Sequence, residues 1–416
     1  MVIIRWIRRH RICKIFLLLL VVIVIVNIYY FIHHSMCSVE SSKKLLEDLC
    51  NLYQKREIAG NLCQAICEDN LIRFGSCTNY KHGKKVLFVE CDICEPPASV
   101  KAVLKTKSDL LNREKLDISK PNDILSSQTF LNLSNRIMRD SILSDFGIDT
   151  SFIEDVLSEI WFGRIEDYIK QSGLPYPDAS WVAVQSIWSL FRQDEYAFMK
   201  LHQAYTFVPK VYGTCGPIYI TEYTPSGSEL ETSFLHRPGS SWNQRANIAI
   251  SILNLIKTFN TELHQPLEIC DVKGDNFGIG DNGRVVLLDA DTVFFRDKFE
   301  KDILNGQCKN HADCDFFDCR GLCETTTGKC LHRRANNNLQ SVCQDVFYGI
   351  LPQFFAGLLH SPPHDFKLEL IDLLEKCAYP SNNKGEIVRV PATDDTFRKL
   401  HTLLSNSLRK HLQLTV

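Results

Sequence analysis

Residues 15–32 (IFLLLLVVIVIVNIYYFI) run for 18 positions without a charged side chain, and this run constrains everything that follows it. A stretch of that length just spans the hydrocarbon core of a bilayer when its flanking side chains snorkel. Arg5, Arg8, Arg9, Arg11 and Lys14 precede it. The positive-inside rule therefore keeps residues 1–14 in the cytosol and delivers the chain after about His33 to the lumen or the cell exterior. Tyr29 and Tyr30 then fall at the far interface. A cleaved signal peptide is the competing reading, but its apolar region would be long and no small-x-small cleavage site follows.

Cysteine placement agrees with that topology. Of 17 cysteines only Cys13 lies before or within the run, and the other 16 all follow it. An even number in an oxidising compartment reads as disulfides. Seven of them (Cys37, Cys50, Cys63, Cys67, Cys77, Cys91, Cys94) crowd into residues 37–94, and five (Cys308, Cys314, Cys319, Cys323, Cys330) into residues 308–330. Zinc competes at Cys63-x3-Cys67 and Cys91-x2-Cys94, yet no compact Cys/His quartet emerges. The sequon Asn132-Leu133-Ser134 would also face the lumen. With 45% hydrophobic and 23% charged residues the chain can bury a large core. Its net charge of −2 speaks against a nucleic-acid partner.

The chemistry is concentrated in Cys270-Asp271-Val272-Lys273-Gly274-Asp275-Asn276, followed by a turn at Asp281-Asn282-Gly283 and an apolar strand ending at Asp289. An Asp, a Lys two later, an Asn five later and a hairpin delivering another Asp follow the order of a kinase catalytic loop and its metal-binding aspartate. Phosphoryl transfer asks the protein for positioning and charge neutralisation rather than covalent work. In that scheme Asp271 orients and deprotonates the acceptor hydroxyl, and Lys273 offsets charge on the transferred group. Asn276 and Asp289 hold divalent ions, with Asp291 sharing or replacing Asp289.

The companions come in the matching order. Lys105, ending Ala102-Val103-Leu104-Lys105, resembles the strand lysine that contacts nucleotide phosphates. Glu195, on a helix before Pro209-Lys210-Val211, is its expected partner. Thr221-Glu222-Tyr223 resembles the hinge that binds adenine through its backbone. Alone, Lys105 is a surface lysine and Glu195 a solvated helix carboxylate; their order gives them meaning.

These residues, with Val103-Leu104-Lys105-Thr106-Lys107, Leu288-Asp289-Ala290-Asp291, Asp315-Phe316-Phe317-Asp318-Cys319, Asn336-Asn337-Asn338-Leu339-Gln340 and Cys343, resemble the divergent protein kinase domain family, subgroup 1. Its members are cysteine-rich type II membrane proteins of the endoplasmic reticulum. The resemblance implies an α+β, two-lobed, disulfide-rich kinase-like fold behind one transmembrane helix, with ATP and magnesium or manganese as cofactors. By resemblance only, it also implies calcium regulation. The expected organisation is a cytosolic tail (1–14), an anchor (15–32) and a cysteine-rich lumenal lead-in with the start of the N-lobe (33–98). An N-lobe (99–224) with a helical insertion at about 106–190 and a C-lobe (225–416) follow.

The pattern also departs from that of kinases. Ile269-Cys270 stands where His-Arg precedes the catalytic Asp, which argues against activation through a phosphorylated loop. Asp289-Ala290-Asp291 replaces Asp-Phe-Gly, and Gly75 and Gly83 are the nearest approach to a phosphate-covering glycine loop. Residues 106–190 contain no EF-hand loop, so Asp145, Asp149 and Asp155 read as surface carboxylates. Cysteines 308–330 occupy the activation segment, where disulfides would lock it.

The leading expectation is a lumenal phosphotransferase acting on secretory-pathway proteins or glycans. A catalytically silent scaffold and a transferase of a nucleotide fragment are the alternatives. The C-terminus carries no Lys-Asp-Glu-Leu retention signal.

Overall fold

The computed structural model describes residues 38–78, 84–107, 119–151, 153–226, 232–233, 241–280, 283–349, 355–381 and 387–413, together with Val22. The expected anchor at 15–32 lies outside these residues apart from Val22. No helix among the described residues is long and apolar enough to cross a membrane.

Helix α1 (Val39–Gln54) leads into strands β1 (Ile72–Cys77), β2 (Lys84–Glu95) and β3 (Ala98–Lys107). Helices α2 (Ile124–Phe146), α3 (Tyr176–Phe191) and α4 (Asp194–Leu201) follow, then β4 (Val211–Cys215) and β5 (Ile218–Glu222). After α5 (Trp242–Thr261) come short strands β6 (Leu267–Ile269), β7 (Phe277–Ile279), β8 (Val285–Leu287) and β9 (Val293–Phe295). The main later helices are α6 (Asn338–Val342), α7 (His364–Ala378) and α8 (Asp394–Gln413). This is the α+β content expected from the sequence.

Two compact units partition the chain: Met1–Ser119 with Gln185–Leu190 and Tyr212–Thr221, and Lys120–Val184 with Phe191–Val211 and Glu222–Val416. Residues 106–190, expected as an insertion of the N-terminal lobe, are divided between them. Residues 120–184 cluster with the C-terminal half because α2 finds its apolar partners there: it buries Phe130, Met138, Ile142 and Phe146 and packs on β9. An amphipathic helix follows the surface that covers its apolar stripe, not its neighbours in sequence.

In the first unit a five-stranded sheet has the order β1-β2-β3-β5-β4, with β1, β2 and β3 antiparallel. Strand periodicity sends Leu87, Val89 and Cys91 of β2, Ala102 and Leu104 of β3, and Ile218 and Ile220 of β5 into one core. Leu45 and Leu49, one turn apart on α1, pack into it. Lys105, one residue past Leu104, faces the other side of the sheet and is only 7% exposed. Gly75 sits within β1, and Gly83 lies outside the described residues. Disulfides Cys50–Cys67, Cys63–Cys215 and Cys91–Cys94 staple this unit.

In the second unit α5 starts at a capping box in which Ser241 and Gln244 satisfy each other's backbone N–H groups. Its buried stripe (Ile248, Ile252, Leu255, Ile256, Phe259) has the helical spacing seen in the sequence. Helix α8 packs against α5, where Trp242 Nε1 donates to Ser407 Oγ at 2.8 Å. Strand β6 pairs with β9, and β7 with β8. Disulfides Cys308–Cys323 and Cys314–Cys330 cross-link residues 308–330, and Cys270–Cys319 and Cys343–Cys377 also lie in this unit. All 15 described cysteines are disulfide-bonded, so thiolates for the competing zinc reading are not at hand among them.

Candidate functional site

Strand β6 delivers the chain to Asp271, whose carboxylate is the hub of a local network. Lys273 Nζ donates to Asp271 Oδ2. Asn276 Nδ2 donates to the Asp271 carbonyl at 2.8 Å and to Oδ2 at 2.9 Å. Both bonds of Asn276 Nδ2 are thus made inside the loop, and Oδ1 is the atom with which an asparagine can ligate a hard cation. Leu288 N–H donates to Asn276 O at 2.8 Å, so the β7–β8 hairpin returns to the loop just before Asp289.

Helix α4 brings Glu195, 1% exposed, to the end of that hairpin. One carboxylate oxygen each from Glu195, Asp289 and Asp291 lies within 4.8 Å of the others. Asp291 N–H donates to Asp289 Oδ1 at 3.2 Å, which sets the turn between the two aspartates. Three carboxylates at this spacing repel one another unless a cation offsets their charge, and an all-oxygen donor set suits a hard divalent ion such as magnesium or manganese. Asp289 and Asp291, alternatives in the sequence, are therefore presented together. Glu195, expected as a lysine's partner, joins them. Lys105 belongs to the first unit, and the other candidate residues to the second.

Glu222 closes β5 with its side chain already engaged. Oε1 pairs with Arg284, Oε2 accepts the Lys210 N–H at 3.2 Å, and the Glu222 N–H donates to Lys210 O at 2.8 Å. The carboxylates set aside as calcium ligands have local work: Asp149 caps Ser151 N–H, Asp155 caps the helix starting at Val156, and Asp145 pairs with Lys298.

Beneath the loop lies a buried polar network that residue spacing did not reveal. Arg334 donates to Glu268 Oε2 at 2.7 Å and Arg296 to Glu268 Oε1 at 2.8 Å. Burial alone would push the Glu268 carboxyl up, but the two guanidiniums hold it below the usual value. Asn338 accepts the Ile269 N–H at 3.0 Å and donates to Leu267 O at 2.7 Å, clamping β6 immediately before Asp271. Asn338 stood out only through the resemblance, and Glu268 and Arg334 had no signal because an isolated charged residue reads as surface.

A family model described as "N-term cysteine-rich ER, FAM69" matches residues 6–151, and one described as "Protein-kinase domain of FAM69" matches residues 187–380. The second match contains Glu195, Glu222, Tyr223, Asp271, Lys273, Asn276, Asp289 and Asp291; the first contains Lys105. Both matches, the disulfide-rich fold and the assembled loop lead to one conclusion: the chain belongs to the FAM69 family, a divergent, kinase-like and cysteine-rich family.

Proposed function

We propose that this protein is a lumenal ATP-dependent phosphotransferase, held in the endoplasmic reticulum membrane by residues 15–32 in type II orientation, that phosphorylates secretory-pathway proteins or glycans. The observation that carries the reading is the gathering of Glu195, Asp289 and Asp291 within 4.8 Å beside the Asp271, Lys273 and Asn276 loop. Glu195, Asp289 and Asp291 would hold magnesium or manganese there, and the ion would supply positive charge against the nucleotide phosphates.

The chain's own residues do the rest. Asp271, its carboxylate oriented through Oδ2 by Asn276 and Lys273, takes the proton of the acceptor hydroxyl. Lys273, whose side chain is 45% exposed, reaches toward the transferred group. The backbone at Glu222 and Tyr223 is the proposed contact for the nucleotide's base. The oxidised cysteines agree with lumenal residence, and the matched description of the N-terminal region refers to the endoplasmic reticulum.

The test is a thermal shift of the full oxidised chain with ATP and magnesium, manganese or calcium. At ligand about 100-fold above Kd the stabilisation is about 2.7 kcal/mol, and Asp289→Ala should abolish it. A well-folded chain that shows no shift with any of the three metals would overturn the enzymatic reading in favour of the scaffold.

A further inference from the structure

The loop that carries Asp271 is gripped by a second segment. Asp318 Oδ2 accepts the Val272 N–H at 2.6 Å, and the Asp318 N–H donates to Cys270 O at 2.8 Å. Cys319 is disulfide-bonded to Cys270. Three links therefore join residues 318–319 to the two neighbours of Asp271. The grip has a firm base: Cys270 and Cys319 are fully buried with Phe299 and Leu304, and Phe316 packs against them. Phe316 and Cys319 exchange backbone hydrogen bonds of 2.9 Å, closing a tight turn in which Phe317 takes a left-handed φ of 49°. Such backbone is uncommon for a bulky side chain and persists where the surroundings over-determine it. Asp315, at the start of the turn, is held by Arg389 at 2.8 Å.

We propose that Asp318 is a positioning residue for the phosphotransfer loop: its carboxylate, together with the Cys270–Cys319 bond, holds the backbone on both sides of Asp271 and so aims the Asp271 carboxylate at the acceptor hydroxyl. The role rests on the phosphotransferase reading and deepens it. Kinases place an arginine before the catalytic aspartate, where a phosphorylated loop can engage it. Here that position is Cys270, and the loop is held by a covalent bond and a charge-assisted hydrogen bond that need no switch.

Hydrogen exchange on the oxidised full chain, resolved across 270–276, reads this clamp without requiring turnover. Asp318→Ala should speed exchange of the Val272 amide about tenfold or more, whereas Asp318→Asn, which keeps an oxygen acceptor, should stay within about twofold of the parent. With an active parent, Asp318→Ala should also lower kcat about tenfold at unchanged KM for ATP, and Asp318→Asn should recover most of it. Unchanged Val272 protection in Asp318→Ala overturns the proposal. Should that variant not fold, Asp318→Leu against Asp318→Asn makes the same comparison; if none of the three folds, Asp318 is a folding residue and the proposal falls. A parent with Val272 protected but no nucleotide binding or turnover overturns the phosphotransferase reading, and the aiming role with it, while the clamp itself stands.

Discussion

Glu268 keeps a negative charge at a position 3% exposed, and it does so only because Arg334 and Arg296 neutralise it. Removing one partner of such a pair strands the other charge without solvent, so Glu268→Gln should lower unfolding free energy by about 3–5 kcal/mol in urea titrations. His202 is the opposite case. It is buried against Phe198 and Phe295, its Nδ1 lies 2.8 Å from Phe198 O, and burial lowers its pKa to about 4. The unfolded chain, with an ordinary imidazole near 6.5, takes up the proton first. Acid therefore favours unfolding, and the contribution present at neutral pH is lost as pH falls from about 6.5 to 4. Melting curves across that range should show the loss, and His202→Phe should flatten part of it. At this scale the grouping of Asp271, Lys273 and Asn276 follows from their spacing, because five residues of chain suffice to set its hydrogen bonds. The pairing of Glu268 does not, since its partner lies 66 positions away.

Among elements, α5 and the β7–β8 hairpin were readable in advance, the first from apolar residues at helical spacing and the second from Asp281-Asn282-Gly283 between apolar runs. Their signals are local. The capping box of α5 makes a matching prediction: Ser241→Ala removes the acceptor for the Gln244 N–H and should cost about 1 kcal/mol, measured by denaturant unfolding. The destination of α2 was not readable. Its stripe of Phe130, Met138, Ile142 and Phe146 announces a buried face but does not say which surface buries it.

At the scale of the whole molecule, disulfides join every described cysteine. Cys63 and Cys215 are joined across 152 positions, whereas Cys91 and Cys94 are joined across three. In the chain-entropy account a cross-link stabilises more when it closes a longer loop. Replacing Cys63 and Cys215 with Ala should therefore cost about 5 kcal/mol, against about 2 kcal/mol for Cys91 and Cys94. Equal midpoint shifts for the two double variants would show that native-state packing, not loop closure, dominates here.

By itself the sequence determined the order of the candidate site residues and the oxidation of the cysteines, because these rest on local spacing and on the chemistry of thiols in an oxidising compartment; the α+β character followed from the resemblance that the motifs carry. Only the tertiary structure decided which cysteines pair, that Glu195 meets Asp289 and Asp291, and that Asp318 reaches back to Val272. Apart from Cys91–Cys94, these contacts join residues 15 or more positions apart. Their existence depends on the path of the intervening chain, which is selected by the burial of apolar faces rather than by the contacting residues themselves.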